Sequence, residues 1–264
     1  MKYHIIGINQ STINTYKFLK KNYFETTISD HKKFIDLKKK LKNIKSLKNF
    51  FFSDHPKKEI KNSNFIVYAS GVIKNSLNYR KYIGNRKNIS EIDFFYKHNN
   101  WPSKNILIIT GSRGKSTVAK IIKNKLNRKK IFKKIIFMDR KNINFSNIPK
   151  YRPGYFLIIE MDYQSLLIAK KISAKFRIIT SYFKIEDKVF RNEKLYKFTK
   201  LKIFNNTKKN EFAFLNKKTY LKLKNRIKKL KKKITIIKTD KTIQYNNNLL
   251  SNEVINKIAE TFSE

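Results

Sequence analysis

Short apolar runs recur along this chain, separated by stretches with helical spacing, and the alternation predicts strands joined by helices. Tyr3-His4-Ile5-Ile6-Gly7 reads as a strand entering a turn, and Thr15, Phe18 and Leu19 continue with helical spacing. Thr26-Thr27-Ile28-Ser29-Asp30 reads as a second strand that ends on a carboxylate, which completes a βαβ start. Phe65-Ile66-Val67-Tyr68-Ala69-Ser70-Gly71 supplies another strand and a glycine turn, and 89–95 is a further apolar stretch carrying Glu91 and Asp93. Asn99-Asn100-Trp101-Pro102-Ser103 interrupts the periodicity and marks a boundary.

Beyond that boundary, apolar runs stand at 106–110, 135–138, 155–160, 176–180 and 212–216. Runs this short, with helical stretches between them, predict a mainly parallel sheet covered on both faces. The expected fold class is α/β: a Rossmann-like domain over 1–99, then a P-loop-type α/β ATPase domain over 103–264. Residues 217–233 are dense in Lys, with Leu221, Leu223, Ile227 and Leu230 interspersed, and predict a helix with one apolar stripe on the core and a solvated back. Ser251 is the expected cap of a last helix carrying Val254, Ile255, Ile258, Ala259 and Phe262.

The stretch richest in chemistry is Ile106-Leu107-Ile108-Ile109-Thr110-Gly111-Ser112-Arg113-Gly114-Lys115-Ser116-Thr117. A strand, a glycine loop and a helix in that order form a phosphate site, because the backbone N–H groups at the helix start point at an anion and the helix dipole favours it. Thr110, Gly111, Ser112, Arg113, Gly114, Lys115, Ser116 and Thr117 are the candidate nucleotide contacts. Lys115 can reach terminal phosphates, and the Ser116 hydroxyl can ligate Mg²⁺. The usual pattern has a first glycine where Ile109 stands, so the alternative is a plain strand-to-helix turn with a surface lysine. Near the N-terminus Gly7-Ile8-Asn9-Gln10-Ser11-Thr12 keeps only the first glycine of a dinucleotide fingerprint, and an NAD site is not expected there.

Composition narrows the classes. The 264 residues contain no cysteine, which excludes disulfides, Cys-ligated zinc and thiol catalysis and fits a reducing compartment. No apolar run approaches the length of a membrane span, so a soluble, cytoplasmic protein without a membrane partner is expected. Lys and Arg outnumber Asp and Glu by 62 to 18, a formal net charge of +44. The excess is mostly Lys spread over the whole chain beside abundant Asn and Ile, a pattern that coding bias produces. Weak, salt-sensitive, non-specific polyanion binding is its expected consequence, and nucleic-acid binding is a third functional alternative.

The order of these motifs resembles the Mur ligases of peptidoglycan synthesis, and most nearly their D-glutamate-adding member. Residues 109–117 resemble the family's ATP loop, with Arg113 in place of Asn. Gly7 to Thr12 with Asp30, then Tyr68-Ala69-Ser70-Gly71, then Ser90-Glu91-Ile92-Asp93-Phe94-Phe95 follow the N-terminal domain that holds a uridine diphosphate. Asn142-Ile143 resembles an Asn-Ile-Gly turn. Glu160-Met161-Asp162-Tyr163-Gln164 resembles Glu-x-Ser-Ser-Phe-Gln shortened by one residue, and Tyr196-Lys197-Phe198-Thr199-Lys200 resembles Tyr-x-x-x-Lys.

The resemblance implies ATP and Mg²⁺ as cofactors, with Ser116, Glu160 and a carbamylated Lys200 on metal, and Lys115, Lys200 and Glu160 in the catalytic set. It implies substrate contacts at Gln10, Ser11, Asp30, Ser70, Gly71, Asn142 and Gln164. The implied reaction adds D-glutamate to UDP-N-acetylmuramoyl-L-alanine through an acyl phosphate. Ile185-Glu186, near Asp187, stand where the family has an Asp-His pair, and the family's C-terminal domain has no counterpart within this sequence. A separately encoded C-terminal domain would be a partner. The alternative is a degenerate nucleotide-binding remnant or interaction protein without ligase activity.

Overall fold

Two parallel sheets, each with its own set of helices, make up the α/β architecture of the chain. The computed structural model describes residues 1–44, 46–69, 72, 87–138, 148–183, 193–204, 208, 210–227, 234–239 and 247–263. The predicted readings that rest on Ser70, Gly71, Asn142, Ile143, Ile185, Glu186, Asp187 and Leu230 lie outside those residues. The chain divides into two compact units: Met1–His98 with the short segments 148–149 and Leu167–Lys170, and a second unit formed mainly by Asn99–Lys141 and Lys171–Glu264.

The first unit runs β1 (Lys2–Ile6), α1 (Gln10–Lys21), β2 (Glu25–Asp30), α2 (Phe34–Leu41), β3 (Phe50–Phe52), α3 (Lys57–Asn62), β4 (Phe65–Tyr68), β5 (Asn88–Ile89) and α4 (Glu91–His98). Its five strands pair in the order β3-β2-β1-β4-β5, all parallel. Tyr3, Ile5, Ile28 and Val67 share one sheet face with Ile13, Tyr16 and Leu19 of α1 and Phe94 of α4. The opposite face carries a buried polar chain. His4 Nδ1 meets Thr27 Oγ1 at 2.7 Å, His4 Nε2 meets Ser29 Oγ at 2.9 Å, and Ser29 Oγ meets His55 Nδ1 at 2.7 Å. Burial, aided by neighbouring His55, pushes the His4 imidazole down to about 4.

The second unit continues with β6 (Ile106–Thr110), α5 (Lys115–Arg128), β7 (Lys134–Met138), β8 (Tyr155–Glu160), α6 (Tyr163–Ile168), β9 (Phe176–Ile179), α7 (Glu193–Leu201), β10 (Glu211–Asn216), α8 (Lys217–Ile227), β11 (Ile234–Thr239) and α9 (Asn247–Ser263). The strand order is β11-β10-β9-β6-β8-β7, again parallel throughout. Every residue of β6 is fully buried, as a central parallel strand covered on both faces requires. Leu107 and Ile109 face Val118, Ala119, Ile122 and Leu126 of α5 and Val254, Ile255 and Ile258 of α9. Arg177 of β9, wholly buried among these strands, pairs with Glu211 of β10 at 2.7 Å.

Two expectations about helices change. Leu221 is 57% exposed, so the stripe that α8 buries is Tyr220, Leu223 and Ile227. Ser251 does not cap the last helix: α9 begins at Asn247, and Ser251 is fully buried inside it. Leu250, immediately before Ser251, already joins the core, and the helix starts four residues before Ser251, at Asn247.

Candidate functional site

The strand order places the C-terminal ends of β6, β8 and β9 side by side, at the point where connections leave the sheet in opposite directions. Open α/β sheets bind ligands at such a switch point. Thr110, Glu160 and the Thr180-Ser181 pair stand at those three strand ends, and Gly111-Ser112-Arg113-Gly114 leads from the first of them into α5.

The loop holds its shape through backbone freedom and a set of downstream hydroxyls. Gly111 has φ +153°, and a Cβ built on it would lie 2.0 Å from Thr180 Oγ1. Gly114 is the N-cap residue of α5 at φ 81°, a left-handed conformation that glycine adopts without strain. Thr180 Oγ1 donates to Arg113 O at 2.6 Å, and Ser181 Oγ donates to the same oxygen at 2.9 Å. Ser181 O accepts from Ser112 N at 3.0 Å. Beyond Gly114, the first N–H groups of α5 have no carbonyl within the helix to bond, as at the start of any α-helix, and such groups are the usual donors to an anion.

Three charged side chains converge on this loop. Ser116 Oγ donates to Glu160 Oε2 at 2.7 Å, joining the head of α5 to the end of β8. The half-buried Lys115 folds its Nζ back to Gly111 O at 3.0 Å. Lys200 is 2% exposed, and its Nζ reaches Gly111 O at 3.0 Å and Thr110 Oγ1 at 3.3 Å. Tyr196 and Lys200 stand four residues apart on α7 and so share one helix face. The Tyr196 hydroxyl meets Ser112 Oγ at 2.8 Å, and its ring lies 5.3 Å from Lys200 Nζ. The Tyr-x-x-x-Lys spacing thus becomes a helix face laid against the loop.

The donor set suits Mg²⁺ bound with phosphate. That ion keeps several waters and takes one or two carboxylates or hydroxyls plus phosphate oxygens. Glu160 and Ser116, already within hydrogen-bond reach of one another beside a helix N-terminus, supply one of each. Among the described residues no group of three or more His, Cys, Asp or Glu converges as an all-protein cage would need.

Other predicted residues serve local structure in ways their sequence did not announce. Asp162 Oδ1 accepts from Ser165 N at 2.8 Å, where it caps α6, and Gln164 lies buried with its Nε2 3.3 Å from Tyr163 Oη. In the first unit Asp30 Oδ2 accepts from Ile8 N at 2.7 Å and Oδ1 from Lys32 N at 2.9 Å, which pins the turn after β1. The Ser11 hydroxyl donates to the buried Glu91, and exposed Gln10 bonds Asn14 at 3.3 Å. Ser90 and Asp93 cap α4 reciprocally, each backbone N–H meeting the other's side chain. Thr180, Ser181 and Tyr196 were absent from the expected site. The polar residues at the end of the strand Phe176–Ile179 were the signal for Thr180 and Ser181, by the same logic that singled out Glu160, and Tyr196 stood in the Tyr-x-x-x-Lys spacing without a role assigned to it.

An α/β protein of two compact units, with a glycine loop entering a helix at a sheet switch point, is the class that fold and site define. Among solved structures the chain is similar to UDP-N-acetylmuramate:L-alanyl-gamma-D-glutamyl-meso-diaminopimelate ligase from Neisseria meningitides, with a TM-score of 0.55, 12% identity and coverage of 98% of this chain and 93% of that one. It also matches a murein peptide ligase from Psychrobacter arcticus (TM-score 0.47, 13% identity, 90% of this chain and 52% of that one). A third match is the UDP-N-acetylmuramate-alanine ligase of Thermotoga maritima (TM-score 0.45, 13% identity, 91% and 53%). The shared fold rests on the first of these. The chain spans about half the length of the other two. No protein-family model matches the chain, and no curated protein does.

Proposed function

We propose that the chain is an ATP-dependent amide ligase of the Mur type, acting on a muramoyl precursor of peptidoglycan. The observation that carries this reading is the Ser116–Glu160 pair at the head of the glycine-loop helix, a hydroxyl and a carboxylate placed for a metal-bound triphosphate. The motif order along the sequence and the likeness of fold support it.

In the proposed reaction an oxygen of the substrate carboxylate attacks the γ-phosphorus of ATP, and the bond to ADP breaks. The resulting acyl phosphate is attacked by the amine of the incoming amino acid; an amide forms, phosphate leaves and the amine gives up a proton. Lys115 and the N-terminus of α5 neutralise charge as it moves from the γ- to the β-phosphate. Mg²⁺ held by Ser116 and Glu160 would supply further positive charge to the phosphate oxygens. Thr110, Gly111, Ser112, Arg113, Gly114 and Thr117 shape the loop that follows the phosphate chain. In the first unit Gln10, Ser11 and Asp30, at the ends of β1 and β2, are assigned to the uridine diphosphate, Asp30 through the turn it fixes.

The sequence motifs favour D-glutamate as the incoming amino acid and UDP-N-acetylmuramoyl-L-alanine as its acceptor. The Neisseria structure is named for a ligase of UDP-N-acetylmuramate, which favours the muramate carboxylate as a second reading. Release of ADP and phosphate, measured with each acceptor and its amino acid in turn, separates the two. Mg·ATP binding without turnover on either pair, at high enzyme concentration, would leave a nucleotide-binding protein that is no ligase.

A further inference from the structure

Arginine is scarce in this chain. It occurs nine times against 53 lysines, so where a positive charge alone is enough the sequence supplies lysine. A guanidinium differs from an ammonium in its planar fork of N–H donors, which matches two oxygens of one carboxylate or phosphate. Arg177 shows that use, buried and paired with Glu211 at 2.7 Å. Arg113 stands inside the glycine loop, between Gly111 and Gly114. Its N–H donates to Ser181 Oγ at 2.8 Å, and its carbonyl accepts from Thr180 Oγ1 at 2.6 Å and Ser181 Oγ at 2.9 Å. These bonds turn both backbone groups toward the end of β9 and leave the side chain exposed. Among the described residues no carboxylate pairs with its guanidinium, and the carboxylate of the site, Glu160, is engaged with Ser116. The fold fixes the backbone of Arg113 and makes no use of its fork.

We infer that the Arg113 guanidinium grips the terminal phosphate of a bound triphosphate, and that it selects a triphosphate over a diphosphate. The inference rests on the nucleotide reading of the loop and adds to it a specificity-determining side chain. An arginine side chain spans roughly 6 Å from Cα to guanidinium, enough to bend from the rim of so short a loop over an anion held at the head of α5. The inner phosphates are served by backbone N–H groups at the helix start, which do not distinguish two phosphates from three. The last phosphate carries the largest charge and stands farthest from the helix, where a donor on the loop rim meets it. The backbone is already held by Thr180 and Ser181, so binding orders only the side chain. Once the terminal phosphoryl group has been transferred, the fork loses its partner, and the same residue that favours ATP lets ADP leave.

Titration calorimetry with Mg·ATP and with Mg·ADP, on the parent, Arg113→Asn and Arg113→Lys, tests this. The side chain is exposed and the backbone bonds persist in any substitution, so all three proteins should share one thermal transition by circular dichroism. The parent should prefer Mg·ATP. Arg113→Asn should lose at least about tenfold in affinity for Mg·ATP and stay within about twofold of the parent for Mg·ADP. Arg113→Lys should recover only part of that loss. Unchanged Mg·ATP affinity in Arg113→Asn overturns the inference. So does an equal loss on both nucleotides, which a general effect of charge would give, and so does full recovery in Arg113→Lys, where a point charge would suffice. Sodium tripolyphosphate and pyrophosphate, titrated as a second pair, separate this role from the proposed function. A parent that prefers tripolyphosphate through Arg113 and refuses Mg·ATP ends the nucleotide reading and leaves the role of Arg113 in place; a parent that binds none of the four ends both. Turnover enters none of these measurements, so a failed ligase assay leaves them standing.

Discussion

The Ser116 hydroxyl donates to the Glu160 carboxylate across 2.7 Å, linking residues 44 positions apart in the chain. Neither side chain needs the other for the fold. Ser116 is exposed on α5, while Glu160 terminates a buried strand where an apolar residue would pack as well. Their proximity supplies the hydroxyl and the carboxylate that the proposed function assigns to a phosphate-bound cation. Ser116→Ala and Glu160→Gln should each leave the thermal transition within a few degrees of the parent and abolish the dependence of ATP affinity on Mg²⁺. Calorimetry with and without the metal checks this, and an unchanged metal dependence in both variants would remove the pair from the site.

Lys115 opens α5, where a cation opposes the helix dipole. Lys115→Ala should therefore keep or slightly raise stability while weakening Mg·ATP binding at least about tenfold, on the order of 1.4 kcal/mol. Paired unfolding and calorimetric titrations read both quantities. Equal affinity in the variant would reduce the loop to a structural turn.

Gly111 leaves no room for a side chain, since an added Cβ would stand 2.0 Å from Thr180 Oγ1. Thr180 is buried and engaged with Arg113 O, so it cannot swing aside without releasing the loop. Gly111→Ala should lower stability by about 2 kcal/mol or more, from backbone strain and the forced shift together. Denaturant unfolding provides the measurement, and a loss under half of that would mean the loop adapts.

Acid should weaken the first unit through His4. The folded protein holds this imidazole neutral, with its pKa lowered from 6.5 to about 4 by burial. An unfolded chain takes up that proton near pH 6.5, so the stabilisation is complete above 6.5 and is lost as pH falls toward 4. His55 and His98 are shifted down by burial too and act in the same direction. Lys2 adds to the depression of His4, and Glu59 opposes it. Of the parent's stability loss between pH 7 and pH 5, about 2 kcal/mol should come from His4. His4→Gln should lose that much less over the same interval; parallel slopes for the two proteins would contradict the assignment.

Much of this architecture was legible because strands buried on both faces read as unbroken apolar runs. The run at 155–160 becomes β8 residue for residue, and Thr110-Gly111 marks the end of β6 as its chemistry predicts. Short strands carried less signal. β3 is three aromatic residues and β5 only two residues, too brief for any period to register. Arg177 shows a different limit, because a charge inside an apolar run argues against burial until its partner, Glu211, is found on the neighbouring strand. In the site the glycines, Lys115 and Glu160 stood out by type and position. Thr180 and Ser181 did not, since their work is to hold backbone that lies 67 or more residues earlier in the chain.

That separation bears on how the protein comes into being. As the chain leaves the ribosome, the stretch from Ile106 to Thr117 emerges well before the hydroxyls that shape it. Strand β6 meanwhile waits for both of its neighbours, β8 and β9, to be synthesised. Long-range pairing of this kind is slow, because a large loop must close before any contact rewards it. The part of the molecule most readily recognised in its sequence thus lacks the hydroxyls that shape it until synthesis has passed Ser181. A nascent fragment that stops short of residue 180 would contain the entire loop and none of the bonds that Thr180 and Ser181 make to Arg113.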